Sequence, residues 1–268
     1  MGKLFGYGSL VLVLVVLIGF FLLPNQEKAS LLLKTEKALS FLKKENATRI
    51  NADASKAQRN LQKKEVPQPP KPVEKIKLDV PLLNQMAEPR LYNGCEVTSL
   101  AMVLNYKGIG VSKGDLAKKV KRVPLRYKNG QYGNPYTGFV GNMEVGPGLG
   151  VYHGPIFELA KEYAGSNAEN LTGQPFNKVI EKLAGGSPVW VIINTAYAPL
   201  QEANFKTWDT PEGKVKITFN MHSVAVTGFD EDYIYFNDPY GTKDRKADRN
   251  NFIKAWEQMG SQAVVIND

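Results

Sequence analysis

The sequence predicts a mixed α+β domain behind a basic helical extension, on three observations. An apolar stripe of helical period follows the only cysteine. A two-residue alternation surrounds one of only two histidines. A proline cluster separates both from a segment rich in Ala, Leu, Lys and Glu. With 43% hydrophobic residues, the 268-residue chain can bury a core and still carry an appendage. One cysteine excludes an intramolecular disulfide and a Cys-rich zinc site, and no metal or organic cofactor is expected.

The net charge of +8 is unevenly spread. Residues 78–268 carry 20 basic and 20 acidic side chains, whereas residues 25–77 carry 13 basic and 6 acidic. The neutral domain argues against a nucleic-acid partner. The basic extension suits an anionic surface, either lipid headgroups or a surface polymer, or simply keeps itself solvated.

At the N-terminus, Leu4 to Leu23 run without a charge. At roughly 1.5 Å per residue they span about 30 Å as a helix, enough for a bilayer core. Pro24 and bulky polar groups follow instead of a small-x-small cleavage site, so residues 1–24 are expected to be an uncleaved single-pass signal anchor at the cell membrane. The long domain behind it would be exported, with a secreted form as the alternative. Residues 25–66 read as a basic helical stalk with apolar stripes at Ile50, Ala54, Ala57, Leu61 and at Leu31, Ala38, Leu42. Residues 67–77, opening with Pro67, Pro69, Pro70 and Pro72, read as a semi-rigid linker that leads to the domain at 78–268.

Within the domain, Val97, Leu100, Ala101 and Leu104 define a helix, with Asn93 as its N-cap, Glu96 in its first turn and Gly108 as its stop. Cys95 then sits where the helix dipole and unpaired N–H groups favour a thiolate. Gly94 leaves room for another group to approach. A nucleophile and a small buried core residue are equally good readings of this segment alone.

The stretch "MHSVAVTGFDEDYIYFNDPYG" reads as a hairpin: His222 to Gly228, a turn at Phe229 to Glu231, then Asp232 to Asp238. A turn centred on Asp230 puts His222 opposite Asp238, with Cβ atoms about 5 Å apart. A carboxylate there can accept one imidazole N–H and turn the other ring nitrogen toward a thiol. Asn237 is the fallback orienter. Gln85, ten residues before the cysteine, offers an amide for a developing oxyanion. The Gly- and aromatic-rich stretch 133–156 reads as a long loop on the rim of a cleft. Tyr92, Asn93, Gly94, Tyr132, Tyr136, Phe139, Tyr152 and His153 are its candidate substrate contacts, and His153 is the second choice of base.

With Gln85, Cys95, His222 and Asp238 in that order, the chain resembles the C39-like family of papain-like bacterial cysteine peptidases. "NGCEVTSLAMVLNY", "GFVG", "GVYHGPI", "SPVWVIIN" and "MHSVAVTGFDEDYIYFNDP" carry the resemblance. It implies a Cys-bearing helix packed on an antiparallel sheet bearing His and Asp, and a thiol peptidase acting on a peptide or protein. Cys95 would be nucleophile, His222 base and then acid, Asp238 orienter, and Gln85 part of the oxyanion hole. Related domains mature double-glycine leader peptides on ABC exporters, but no transporter or ATPase segment is seen in this sequence. Two alternatives stand beside the peptidase: another thiol acyl-transfer enzyme (an amidase or transpeptidase, with wall peptides as one substrate), and a non-catalytic surface module that binds peptide.

Overall fold

The structure, a computed structural model, describes Pro24, residues 27, 28, 30, 33–37, 39–41 and 43–45, and the continuous run 75–268. The chain divides into two units, Met1–Lys71 and Pro72–Asp268. In the first, the described residues from 27 to 45 are helical, and Leu33, Leu39 and Phe41 are exposed. The apolar run 4–23, both stalk stripes and the proline cluster fall outside the described residues. The single-pass membrane anchor is not upheld. Among the described residues no helix is long and apolar enough to cross a membrane. The longest helices of the second unit have 12 residues, against the roughly 20 a bilayer requires.

The second unit is built on one seven-stranded antiparallel sheet. Its order is β11 (Thr242–Asp248), β10 (Tyr233–Asp238), β9 (Met221–Asp230), β6 (Val189–Asn194), β12 (Ala263–Ile266), β5 (Ala168–Asn170), and β1 (Lys75–Lys77) pairs with the far end of β9. Alternation decides which residues face which layer. Trp190, Ile192, Ala225, Val264 and Ile266 join α1 (Cys95–Tyr106), α2 (Lys113–Lys119) and α3 (His153–Ala164) in one core. Val189, Val191, Val224, Val226 and Val265 join α4 (Asn177–Ala184) and α5 (Arg249–Gln258) in the other. Strands buried on both faces read as near-continuous apolar runs, which explains "VWVII" and "VAV". The α+β class and the antiparallel sheet are those expected.

A smaller layer covers one end. The short strands β2 (Arg122–Val123), β3 (Phe139–Gly141) and β4 (Gly148–Gly150) form a sheet. Val140 and Leu149 pack with Trp208 and Ile217 of the hairpin β7 (Phe205–Thr210) and β8 (Gly213–Thr218). The expected long loop is therefore structured, and its last residues already begin α3.

The β9–β10 hairpin differs from expectation in its register. β9 continues to Asp230, and the ladder starts as Ile234 opposite Phe229 and Tyr235 opposite Gly228. A bulge then leaves Thr227 unpaired, and Phe236 faces Val226. The ladder is displaced by two residues from the expected one, so Asp238 is diagonal to His222 rather than opposite. The bulge restores the parity: without it Asp238 would fall on the face of Ala225.

Gly228 lies where β1 crosses β9, and a Cβ there would overlap the carbonyl of Ile76. Gly228→Ala should therefore loosen β1 and cost about 1–3 kcal/mol, read as a lower midpoint in urea denaturation.

Candidate active site

α1 carries the thiol. Gly94, not Asn93, occupies the N-cap position, and no side chain caps the helix. Asn93 instead donates from Nδ2 to the Asn142 carbonyl at 3.0 Å. The absence of a Cβ at Gly94 serves Leu91, whose side chain fills that space, rather than an incoming substrate. Indole Nε1 of Trp190 donates to the Glu96 carbonyl at 3.0 Å, and Ser99 Oγ donates to the Ser223 carbonyl at 3.0 Å. These bonds lock the first turn of α1 onto β6 and β9, so that Cys95 comes to the backbone of the residue following His222.

The expected thiolate is not favoured in the resting site. Burial pushes the Cys95 thiol well up, the negative charge of neighbouring Glu96 and the hydrogen bond to it add to this, and the Ser223 backbone works in the other direction. Cys95 Sγ donates to Glu96 Oε2 at 3.3 Å. The dipole of one helix end does not offset loss of water plus an adjacent carboxylate.

His222 and Asp238 meet at the start of β9 and the end of β10. His222 Nε2 lies 3.0 Å from Asp238 Oδ1, and both side chains are almost fully buried. Asp238 also accepts from Tyr197 Oη at 2.6 Å, Arg245 Nη1 at 3.2 Å and the Tyr240 backbone N–H at 3.0 Å. Burial alone would raise this carboxyl; the His222 bond and charge, the Tyr197 hydroxyl and the Tyr240 N–H outweigh it and hold the group down to about 2. Tyr240 stacks on the imidazole with ring centroids 5.2 Å apart. Tyr197 and Arg245 carry no signal in the sequence, because each lies on a separate segment with no pattern linking it to Asp238. Asn237 is turned elsewhere, donating to the Val80 carbonyl and accepting from the Asp244 N–H.

Gln85 is buried, and its amide nitrogen donates to the carbonyls of Leu91 at 3.3 Å and Tyr92 at 3.0 Å. Its Oε1 is buried without a partner. The Gln85 backbone N–H donates to the Pro239 carbonyl at 2.7 Å, tying this loop to the chain just beyond Asp238. Lys113 fastens the same loop: its ammonium donates to the carbonyls of Asn84, Gln85 and Ala87.

Of the rim candidates, Tyr92 and Tyr136 are exposed. Phe139 is fully buried and Tyr152 nearly so, which corrects their reading as surface contacts. An aromatic in a Gly-rich stretch can serve a core as readily as a cleft. Tyr132 stacks on Trp208 at 4.3 Å. His153 starts α3 with Nδ1 3.2 Å from Asn170 Nδ2, and burial lowers its basicity. No carboxylate orients it. Among the described residues, no group of His, Cys, Asp and Glu could hold a metal ion.

The model of the Peptidase_C39 like family matches residues 77–264. YvpB of Bacillus subtilis (strain 168), an uncharacterized protein, is 59% identical over 189 residues, which cover 70% of this chain and 75% of YvpB. A crystal structure of a candidate C39-like peptidase from Bacillus anthracis superposes with a TM-score of 0.71 at 45% identity, covering 73% of this chain and 98% of that one.

Because the folded pKa of Asp238 is depressed, its contribution is present above the unfolded value of 3.8 and is lost as pH falls through about 2. The shift corresponds to about 2 kcal/mol at neutral pH. Denaturation series should show that acid-dependent part of the stability in the native sequence and not in Asp238→Asn.

Proposed function

Because the chain belongs to the Peptidase_C39 like family and is a cysteine peptidase-like protein, we propose that it cleaves peptide bonds with Cys95 as nucleophile and His222 as its base. The observation that carries this reading is the buried His222–Asp238 pair at 3.0 Å, one residue along β9 from the backbone that Cys95 approaches. With Nε2 committed to Asp238, Nδ1 is the ring nitrogen left for the thiol.

In the proposed reaction the Cys95 proton passes to Nδ1 as sulfur attacks the substrate carbonyl carbon. The resulting imidazolium faces a carboxylate that stays ionised, so charge separation occurs beside a fixed counter-charge. The Cys95 backbone N–H and the Gln85 amide are the oxyanion donors. Gln85 takes that role by exchanging one of its two carbonyl partners, Leu91 or Tyr92, for the oxyanion. His222 then protonates the leaving amine, and a water activated by the same nitrogen hydrolyses the thioester. Exposed Tyr92 and Tyr240 flank the site as contacts for a peptide.

Iodoacetamide alkylation followed against pH tests this directly, because the chain has one thiol. His222→Ala should lower both the alkylation rate near neutrality and the hydrolysis of a peptide library by about 10²–10⁴-fold. Cys95→Ala should abolish hydrolysis. Alkylation as slow as that of an ordinary thiol, and indifferent to His222, would refute the proposal.

A further inference from the structure

Resting on Cys95 as the nucleophile, we infer that Glu96 is a second proton partner of its thiol, and that the reactive thiolate forms only while the Glu96 carboxyl carries a proton. Glu96 is fully buried, yet it lies at the point of the molecule where chemistry is proposed. Its Oε2 accepts from Cys95 Sγ at 3.3 Å and its Oε1 accepts from the Val151 backbone N–H at 2.9 Å. Among the described residues no Lys, Arg or His is ion-paired with it. Gly150 makes the space: it has φ +129°, and a Cβ there would overlap Glu96 Oε1 and Met221 Cε. Its own first-turn N–H also acts on the carboxyl, but a buried carboxyl given a thiol donor, a cradle and no cation is not explained by packing.

The titratable groups around it are the Cys95 thiol, the Tyr152 and Tyr240 hydroxyls, and, across the site, Asp238 with its partner His222. Apart from His222, none of these supplies a positive charge. When the thiol proton moves to His222 Nδ1, the S–H bond breaks, an N–H bond forms and the electron pair stays on sulfur. With Glu96 ionised, that leaves two anions at hydrogen-bond distance in a buried site. With Glu96 protonated, its O–H donates to the new thiolate and no such repulsion arises. Burial pushes the Glu96 carboxyl up to about 7, so the two forms interchange around neutrality. Raised pH therefore turns the site off through Glu96, before the high intrinsic pKa of Cys95 is reached.

Glu96→Gln is the test. Its amide keeps an oxygen for the Val151 N–H and a permanent N–H for Sγ. The native rate of iodoacetamide alkylation should fall above about pH 7, and the variant should hold its plateau there, being about tenfold faster than the native protein at pH 8. Superimposable profiles that both depend on His222 would overturn the role of Glu96 and leave the nucleophile intact. Slow alkylation at every pH, indifferent to His222, would overturn the nucleophile itself. If the variant does not fold, the native protein carries the test by infrared spectroscopy with ¹³C-labelled glutamate. A protonated-carboxyl band should titrate near pH 7 and move when Cys95 is alkylated. A band confined to the ordinary carboxylate range, or unaffected by blocking Cys95, would overturn the inference.

Discussion

The buried carboxylate of Asp238 is the constraint around which the rest of the site is arranged. An ionised group without water must be met by donors from every side, and here they come from four places in the chain: His222 on β9, Tyr197 after β6, Tyr240 in the turn after β10, and Arg245 on β11. The bonds to Tyr197 and Tyr240 fix segments that the sheet alone would leave free. Tyr240 is held where its ring stacks on the imidazole. Arg245, with its guanidinium over the Tyr197 ring at 4.7 Å, closes the circle. The imidazole thus inherits its orientation from a network whose removal would strand a charge in the core.

Cys95 and Glu96 form the opposite electrostatic pole. Around Asp238, donors and a cation compensate the desolvation; around Glu96, the backbone N–H groups of Val151 and of Glu96 itself, with a thiol, must do so. The two carboxyl groups are accordingly pushed apart, one far below and one above the ordinary range. This is the pattern by which two carboxyls of one site take different roles. Asp238 remains an anion throughout, whereas Glu96 can exchange a proton without leaving its cavity.

Much of this was legible in the sequence, and the misses have physical causes. The apolar spacing after Cys95 marks α1 and the β-rich run from His222 marks β9, although the structure buries both elements on more than one face. The register was not legible. It depends on a bulge at Thr227, and no residue pattern announces a bulge in a strand buried on both faces. Parity alone made the His222–Asp238 pairing survivable: a displacement of two residues keeps both side chains on one face. An acid in a first turn reads as a charge favouring the helix dipole; the burial of Glu96 follows from Trp190, Val151 and Gly150, which lie 54 to 94 residues away. A glycine-rich stretch reads as a rim, whereas Phe139 and Tyr152 are core residues. Those glycines instead permit the close turn from β3 to β4, where Gly141 and Gly146 have positive φ.

The loop 84–94 joins these poles into one mechanical unit. Its backbone is held by Pro239 on the Asp238 side and by the three-carbonyl grip of Lys113 on the other, and Gln85 links it inward to the carbonyls preceding Cys95. Lys113 itself sits on α2, which packs beside α1 in the same core. The charge of Glu88 acts on this ammonium from nearby, but its hydrogen bonds all go to carbonyls, so they hold the backbone of residues 84–87 at fixed separation. The oxyanion candidate, the thiol and the imidazole therefore hang from different elements but share backbone bonds across the site. Their spacing is set by the sheet and α1 together, which places the burden of precision on regular structure and leaves the exposed tyrosines free to adapt to a peptide.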